Sequence, residues 1–276
     1  MESFAGKTVF ITGGSSGIGL SIAKLLSQEG AHVAIFARNR TRLEEALKIV
    51  EQAKKRHGQR FAWYQCDVSD YAQVKKAFTQ AVRQFDTCDI LINCAGRAYP
   101  KYFEDISHKQ FEETMKINLF GIWNTCSFLV PFMKQKGGYI VNTSSVAGLV
   151  GVFGYTDYSA SKFAIVGFSE ALRSECKRYN IHVSVLCPPD TDTPGFETEN
   201  KTKPDETKEI SKSAKLLTPD EVAQALLKGM KKKKFIILAN FDSTLTWFAK
   251  RYAPWLVEAV MDYQIKKVQK KKRTAR

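Results

Sequence analysis

Tyr158-Ser159-Ala160-Ser161-Lys162 sets a phenol and an ammonium four residues apart, a spacing that puts both on one face of a helix. A cation beside a phenol stabilises phenolate and lowers the tyrosine pKa towards neutrality, giving a usable proton donor and acceptor. Tyr-x-x-x-Lys alone also fits an ordinary helix pair. Its surroundings add meaning: Ser145 lies 13 residues upstream, just past the apolar segment Tyr139–Asn142, and Asn93-Cys94-Ala95-Gly96 ends another such segment.

A second group suits phosphate. Thr12-Gly13-Gly14-Ser15-Ser16-Gly17-Ile18-Gly19 follows the first strand-like segment and opens the first helix-like one. Glycines there let the backbone approach a pyrophosphate, and a helix N-terminus offers it free N–H groups. The spacing departs from G-x-G-x-x-G, with three residues between Gly13 and Gly17, and alone it also fits a tight turn. The end of the next strand reads Ala37-Arg38-Asn39-Arg40-Thr41-Arg42. A dinucleotide fold places an acid there for a free ribose 2′-hydroxyl and a base for a 2′-phosphate. Cations at a helix start oppose its dipole, so idle arginines are disfavoured there. The sequence therefore predicts NADPH/NADP+ rather than NADH, with Arg38 and Arg42 at the 2′-phosphate and Asp67 and Val68 facing the adenine.

These residues need a frame. Apolar runs at Thr8–Ile11, Val33–Ala37, Phe61–Gln65, Ile90–Asn93, Tyr139–Asn142 and Val183–Leu186 alternate with segments of helical periodicity, among them Gly17–Gln28, Thr41–Ala53 and Gln73–Arg83. Such alternation predicts an α/β, doubly wound parallel sheet of Rossmann type with about seven strands, binding ligands at its carboxyl edge. Residues 190–217 are polar and too long for an ordinary connection, so they read as a lid or substrate loop. Thr218-Pro219-Asp220-Glu221 signals a helix start leading to Met230, then a strand Phe235–Leu238.

The chain has 276 residues and a net charge of +14, an excess that usually points to nucleic-acid or lipid phosphates. Most of it is terminal: residues 228–276 hold 14 Lys and Arg against three acids, net +11, leaving +3 for residues 1–227. The tail, 241–276, carries Leu245, Trp247, Phe248, Tyr252, Trp255 and Tyr263, and Pro254 divides it into two expected helices. Aromatics and lysines in amphipathic helices suit an anionic membrane surface; a helix completing the core or a subunit interface, followed by a solvated lysine tail, fits nearly as well. Six cysteines with no pair at metal or redox spacing predict reduced thiols, no metal and a cytoplasmic setting. No signal peptide or spanning segment is apparent, so any membrane association is expected to be peripheral, on the cytosolic face.

Taken in order, the glycine motif, Asp67, Asn93-x-Ala95-Gly96, Asn118, Ser145, Tyr158 and Lys162 resemble the short-chain dehydrogenase/reductase family over roughly residues 5–240. By that resemblance Tyr158 is the general acid, Lys162 tunes it and binds the nicotinamide ribose, Ser145 hydrogen-bonds the oxyanion, and Asn118 holds a water that relays protons. Gly13, Ser15, Ser16, Gly17, Ile18 and Gly19 would hold the pyrophosphate, and Asn93, Ala95, Gly96 and Pro188 would line the cofactor, with Thr191 and Thr193 at the carboxamide. Cys94 and Pro189 depart from the usual Asn and Gly. Pro188-Pro189-Asp190 through Phe196, Glu199 through Pro204, and Phe153 through Ile165 closely resemble the subgroup that reduces the ketone of 3-ketodihydrosphingosine with NADPH. Related reductases of steroids, retinal or other lipid carbonyls share the catalytic residues. A non-catalytic NADP-binding tether for membrane or nucleic acid is the contrasting class, and the complete catalytic set argues against it. The expected partners are a sphingoid ketone, a membrane surface through the tail and further copies of the chain in a dimer or tetramer, with no nucleic acid.

Overall fold

Consecutive apolar residues such as Val9, Phe10 and Ile11, or Ile90, Leu91 and Ile92, suit strands covered on both faces. The computed structural model, which describes residues 3–212 and 214–274, forms seven of them: β1 (Thr8–Thr12), β2 (His32–Ala37), β3 (Phe61–Gln65), β4 (Ile90–Asn93), β5 (Gly138–Thr143), β6 (Ile181–Cys187) and β7 (Ile236–Leu238). All pairings are parallel, in the order β3-β2-β1-β4-β5-β6-β7. The expected strands and helices agree to within a few terminal residues.

The helices before the tail are α1 (Gly17–Gln28), α2 (Arg40–Gln52), α3 (Tyr71–Phe85), α4 (His108–Met115), α5 (Gly121–Met133), α6 (Thr156–Cys176), α7 (Pro194–Asn200), α8 (Asp205–Ser211) and α9 (Pro219–Lys231). Ile22 and Leu26 of α1, Leu43 and Val50 of α2, and Leu226 and Met230 of α9 pack with Val9, Ile11 and Ile35 on one face. Phe78 and Phe85 of α3, Ile122 and Leu129 of α5 and Ile165 of α6 pack with Phe10 and Phe36 on the other. There Phe36 stacks on Phe78 with ring centroids 4.2 Å apart. Full burial of such rings contributes roughly 2–3 kcal/mol each.

The chain changes winding direction between β1 and β4, and the crevice opens at their carboxyl ends. Gly13 has φ +69° there, and a Cβ on it would lie 2.8 Å from the Ala95 nitrogen. Only glycine permits both the conformation and the approach.

Residues 190–217, expected as a polar loop, instead contain α7 and α8. Local signals explain it: Thr193 caps α7 by accepting from Phe196 N at 3.1 Å, and Pro194 supplies a preset first φ. A bridge between Thr191 and Leu217 closes the base of the segment.

The tail forms α10 (Phe241–Tyr252) and α11 (Pro254–Thr274), divided at Pro254 as expected. It does not complete the core: Ser243 is the only buried residue of α10, and α11 has none. The tail folds back on α8 instead. Lys267 pairs with Glu209 at 2.6 Å, and Lys272 lies 3.2 Å from Glu206 and 3.3 Å from Asp205 while donating to the Tyr102 hydroxyl at 3.0 Å. Part of the tail's positive charge is thus answered within the molecule, which a count by segment does not reveal. Among the described residues no helix is long and apolar enough to cross a membrane.

Candidate active site

The first turn of α6 is pinned from below. Asp157 is fully buried; its carboxylate accepts from Tyr158 N at 2.8 Å, Thr114 Oγ1 at 2.8 Å and Gln110 Nε2 at 3.2 Å, tying α6 to α4. Tyr158 follows, with Ser145 close enough to favour its phenolate, while Ser145 Oγ donates to the Pro188 carbonyl at 3.4 Å. One helical turn on, Lys162 is buried and donates from Nζ to the Thr143 carbonyl at the end of β5, 2.9 Å away, with Nζ 5.4 Å from the Tyr158 ring centroid. Ser144 secures the same turn by donating to the Lys162 carbonyl at 2.8 Å.

Asn118 lies in a π-helical turn, Lys116–Phe120, between α4 and α5. Such turns interrupt α-helices most often at functional positions. Its side chain is fully engaged: Oδ1 accepts from Arg97 N at 2.9 Å, and Nδ2 donates to the Arg97 carbonyl at 3.0 Å and to Ser161 Oγ at 2.9 Å. A Cβ at Gly96 would lie 3.2 Å from Asn118 Oδ1 and 3.5 Å from Lys162 Nζ, so Asn118, Lys162 and the β4 end converge there.

The residues expected at the cofactor divide into two kinds. At the start of α1, Ser16 makes no side-chain cap, so the N–H groups of the Ser15–Ile18 turn are open to an anion. A Cβ at Gly19 would strike the Gly13 carbonyl at 2.3 Å, and one at Gly17 would lie 3.0 Å from Thr193 Cγ2, which places the Pro188–Thr193 segment over the glycine turn. Arg38 and Arg42 are exposed at the end of β2 without a carboxylate partner among the described residues, whereas Arg40 pairs with Glu44 at 2.8 Å. This cradle fits a dinucleotide. Other residues from the same motifs make hydrogen bonds that hold the fold, some through side chains and some through the main chain. Asn93 donates to Asn142 at 2.9 Å and accepts from Thr125 at 2.8 Å, Asp67 accepts from Ser69 N at 2.9 Å and holds its turn, and the Val68 carbonyl accepts from Asn124 at 2.8 Å. Ala95 N donates to Thr12 Oγ1 at 3.3 Å, the Pro188 carbonyl accepts from Val146 N at 3.0 Å, and Thr191 donates to the Pro189 carbonyl at 2.8 Å.

One expectation needs correcting. In the cofactor-free protein the Tyr158 pKa is raised, not lowered: burial is the main cause, the Glu199 carboxylate adds to it, and Ser145 opposes it. The cost of burying phenolate outweighs a cation whose hydrogen bond is spent on Thr143. Lys162 itself is pushed down by burial to about 8. Sequence reasoning also missed residues that act through main-chain groups or long-range contacts. Thr143 contributes only its carbonyl, and Asp157 is read from sequence merely as a neighbour of Tyr158. Tyr155, whose ring centroid is 5.5 Å from that of Tyr158 and whose hydroxyl donates to Glu199, is visible only once α7 is placed.

The unfolded chain holds the Lys162 proton up to about 10.5, whereas the folded protein releases it near 8. Folding is therefore penalised at pH 8 and below, and the penalty is relieved as pH rises from 8 to 10.5. In urea titrations of cofactor-free protein, the stability of the wild type relative to Lys162→Met should increase across that range by up to about 3 kcal/mol. A difference that does not change with pH would contradict the buried-ammonium assignment.

The sequence matches the short chain dehydrogenase family over residues 7–204. It is 40% identical to the 3-ketodihydrosphingosine reductase of Bos taurus, covering 87% of this chain and 71% of that protein, and 41% identical to the same reductase of Mus musculus with the same coverages. A 3-dehydrosphinganine reductase of Arabidopsis thaliana is 40% identical over 84% of this chain and 70% of its own. Among solved structures, a short chain dehydrogenase/reductase from Burkholderia phymatum in complex with NAD superposes with a TM-score of 0.81 at 23% identity, covering 93% of this chain and 96% of that one. The site, the topology and the sequence agree: the chain belongs to the short-chain dehydrogenase/reductase family of oxidoreductases.

Proposed function

We propose that the protein reduces the ketone of 3-ketodihydrosphingosine to dihydrosphingosine with NADPH, a step of sphingolipid biosynthesis. The reading is carried by an intact Ser145–Tyr158–Lys162 constellation in a chain about 40% identical to several reductases named for that substrate. When bound, the nicotinamide supplies hydride to the carbonyl carbon. Tyr158 gives its phenolic proton to the carbonyl oxygen, and Ser145, beside that phenol, hydrogen-bonds the developing oxyanion. Lys162 holds positive charge beside the phenol and meets the nicotinamide ribose. Asn118 serves the proton relay through its main chain, because its side-chain amide is already hydrogen-bonded on both sides.

Arg38 and Arg42 hold the 2′-phosphate, which selects NADPH, and the exposed guanidinium groups support this assignment. Residues 1–240 form the catalytic unit and 241–276 a peripheral tail on the cytosolic face of a membrane. Phe241, Leu245, Tyr252, Trp255 and Tyr263 are exposed, and Lys266, Lys270, Lys271 and Arg273 lack carboxylate partners among the described residues, as an anionic headgroup layer requires. The exposed Phe120, Trp123, Phe132 and Phe163 along the π turn, α5 and α6 provide a face for a second copy of the chain.

Oxidation of NADPH by the wild type with 3-ketodihydrosphingosine presented in vesicles tests the main reading, and absence of turnover would overturn it. Arg38→Ala should weaken NADPH by roughly tenfold or more, as expected for loss of a charged hydrogen bond, with little effect on NADH. Equal losses would contradict the phosphate contact. In flotation assays, glutamate at positions 266, 270 and 271 should abolish salt-sensitive binding to phosphatidylserine vesicles, at about 1 kcal/mol per cation. Undiminished binding would contradict membrane docking by the tail.

A further inference from the structure

Above Tyr158 lies a group of charges that proton transfer does not use. Glu199, near the end of α7, directs Oε1 at the Tyr155 hydroxyl, which donates to it. Lys203 follows four residues later with its side chain 1% exposed, its Nζ 3.1 Å from Glu199 Oε1 and 3.6 Å from Asp190 Oδ2. That ammonium lies 4.4 Å from the Phe196 ring centroid and makes no aligned hydrogen bond among the described residues. Two carboxylates share one buried cation, so the group retains one negative charge when all three are ionised. Both contacts to Glu199 fall on Oε1, and Oε2 has no partner among the described residues.

The Glu199 side chain is 15% exposed, and a carboxylate so largely withdrawn from water yet incompletely paired is costly in a site that has only to bind an aliphatic ketone. It is expected where a cation arrives with the substrate. 3-Ketodihydrosphingosine carries an amine on the carbon next to its ketone, so an ammonium stands beside any carbonyl oxygen that reaches Tyr158. Tyr155 links the two positions, being bonded to Glu199 and packed against Tyr158.

We infer that Glu199, with Asp190 holding Lys203 beside it, binds the ammonium adjacent to the reacting ketone and so selects 2-amino ketones over plain ketones. The inference rests on the sphingoid reading proposed above. Burial holds the Glu199 carboxyl above its ordinary range, as expected of a carboxylate awaiting a partner, and its charge contributes to the raised pKa of Tyr158. An ammonium seated there offsets that charge just where Tyr158 must release a proton. Substrate binding and proton donation are then coupled through one carboxylate.

The test compares 3-ketodihydrosphingosine with 1-hydroxyoctadecan-3-one, the same ketone without the amine, using full-length protein, NADPH and identical vesicles. In Glu199→Gln the ratio of kcat/KM for the amino ketone to that for the plain ketone should fall at least tenfold from its wild-type value, whatever happens to both rates in common. An unchanged ratio would overturn the inference while leaving the sphingoid reading in place. A wild type that reduces the plain ketone and not the amino ketone would overturn that reading itself. Independently of any variant, dihydrosphingosine should inhibit the wild type at least tenfold more tightly than octadecane-1,3-diol. Equal inhibition would also overturn the ammonium site.

Discussion

A buried ammonium on α6, held by the Thr143 carbonyl at the end of β5, is the contact on which the geometry of the candidate site depends. An ammonium without a partner in that position would cost several kcal/mol, so the helix cannot rotate or slide without losing its anchor. Tyr158, one turn earlier on the same helix, is thereby fixed over the carboxyl edge of the sheet. Asp157 secures the other side of that turn through α4, and Ser144 closes it with a bond to the Lys162 carbonyl. The sheet supplies the reason such a site can exist there: its winding changes direction between β1 and β4, leaving a crevice that no crossover helix fills.

The electrostatics extend the same logic outward. The Lys162 ammonium is destabilised by burial and Tyr158 is held protonated by burial and by Glu199, so the resting site keeps its proton on the phenol. The segment carrying Glu199 and Lys203 also touches the tail, because α8, which follows Lys203, receives Lys267 and Lys272 from α11. A charge near the end of α11 and a charge beside the Tyr155–Tyr158 pair are therefore two ends of one short structural unit. This arrangement gives the terminal basic run a role inside the protein as well as any at a lipid surface.

Much of this was legible in the residue order. Continuous apolar runs mark buried parallel strands, the Gly13–Gly19 cluster marks the tight turn from β1 into α1, and the spacing of Tyr158 and Lys162 places them one helical turn apart. What was illegible has common physical causes. Thr143 and the π turn at Asn118 act through the backbone, where side-chain identity carries little signal. The helices α7 and α8 are seven residues each, too short for periodicity to register, although Thr193 and Pro194 mark the start of the first. The Tyr158 pKa went the other way because spacing reveals the neighbouring cation and hides the desolvation. The ion pairs between α8 and α11 join residues about sixty apart, beyond what a segment-by-segment charge count can assign.

The central claim, that a phenol fixed by the Lys162 anchor gives the proton to the substrate ketone, is tested most directly with Tyr158→Phe. NADPH oxidation in the presence of 3-ketodihydrosphingosine vesicles should fall roughly a hundredfold or more, the scale of a lost general acid. NADPH affinity, followed by nucleotide fluorescence on the same preparation, should stay close to that of the wild type. Turnover retained at the wild-type rate would contradict the account, because the proton would then have to come from a group other than Tyr158.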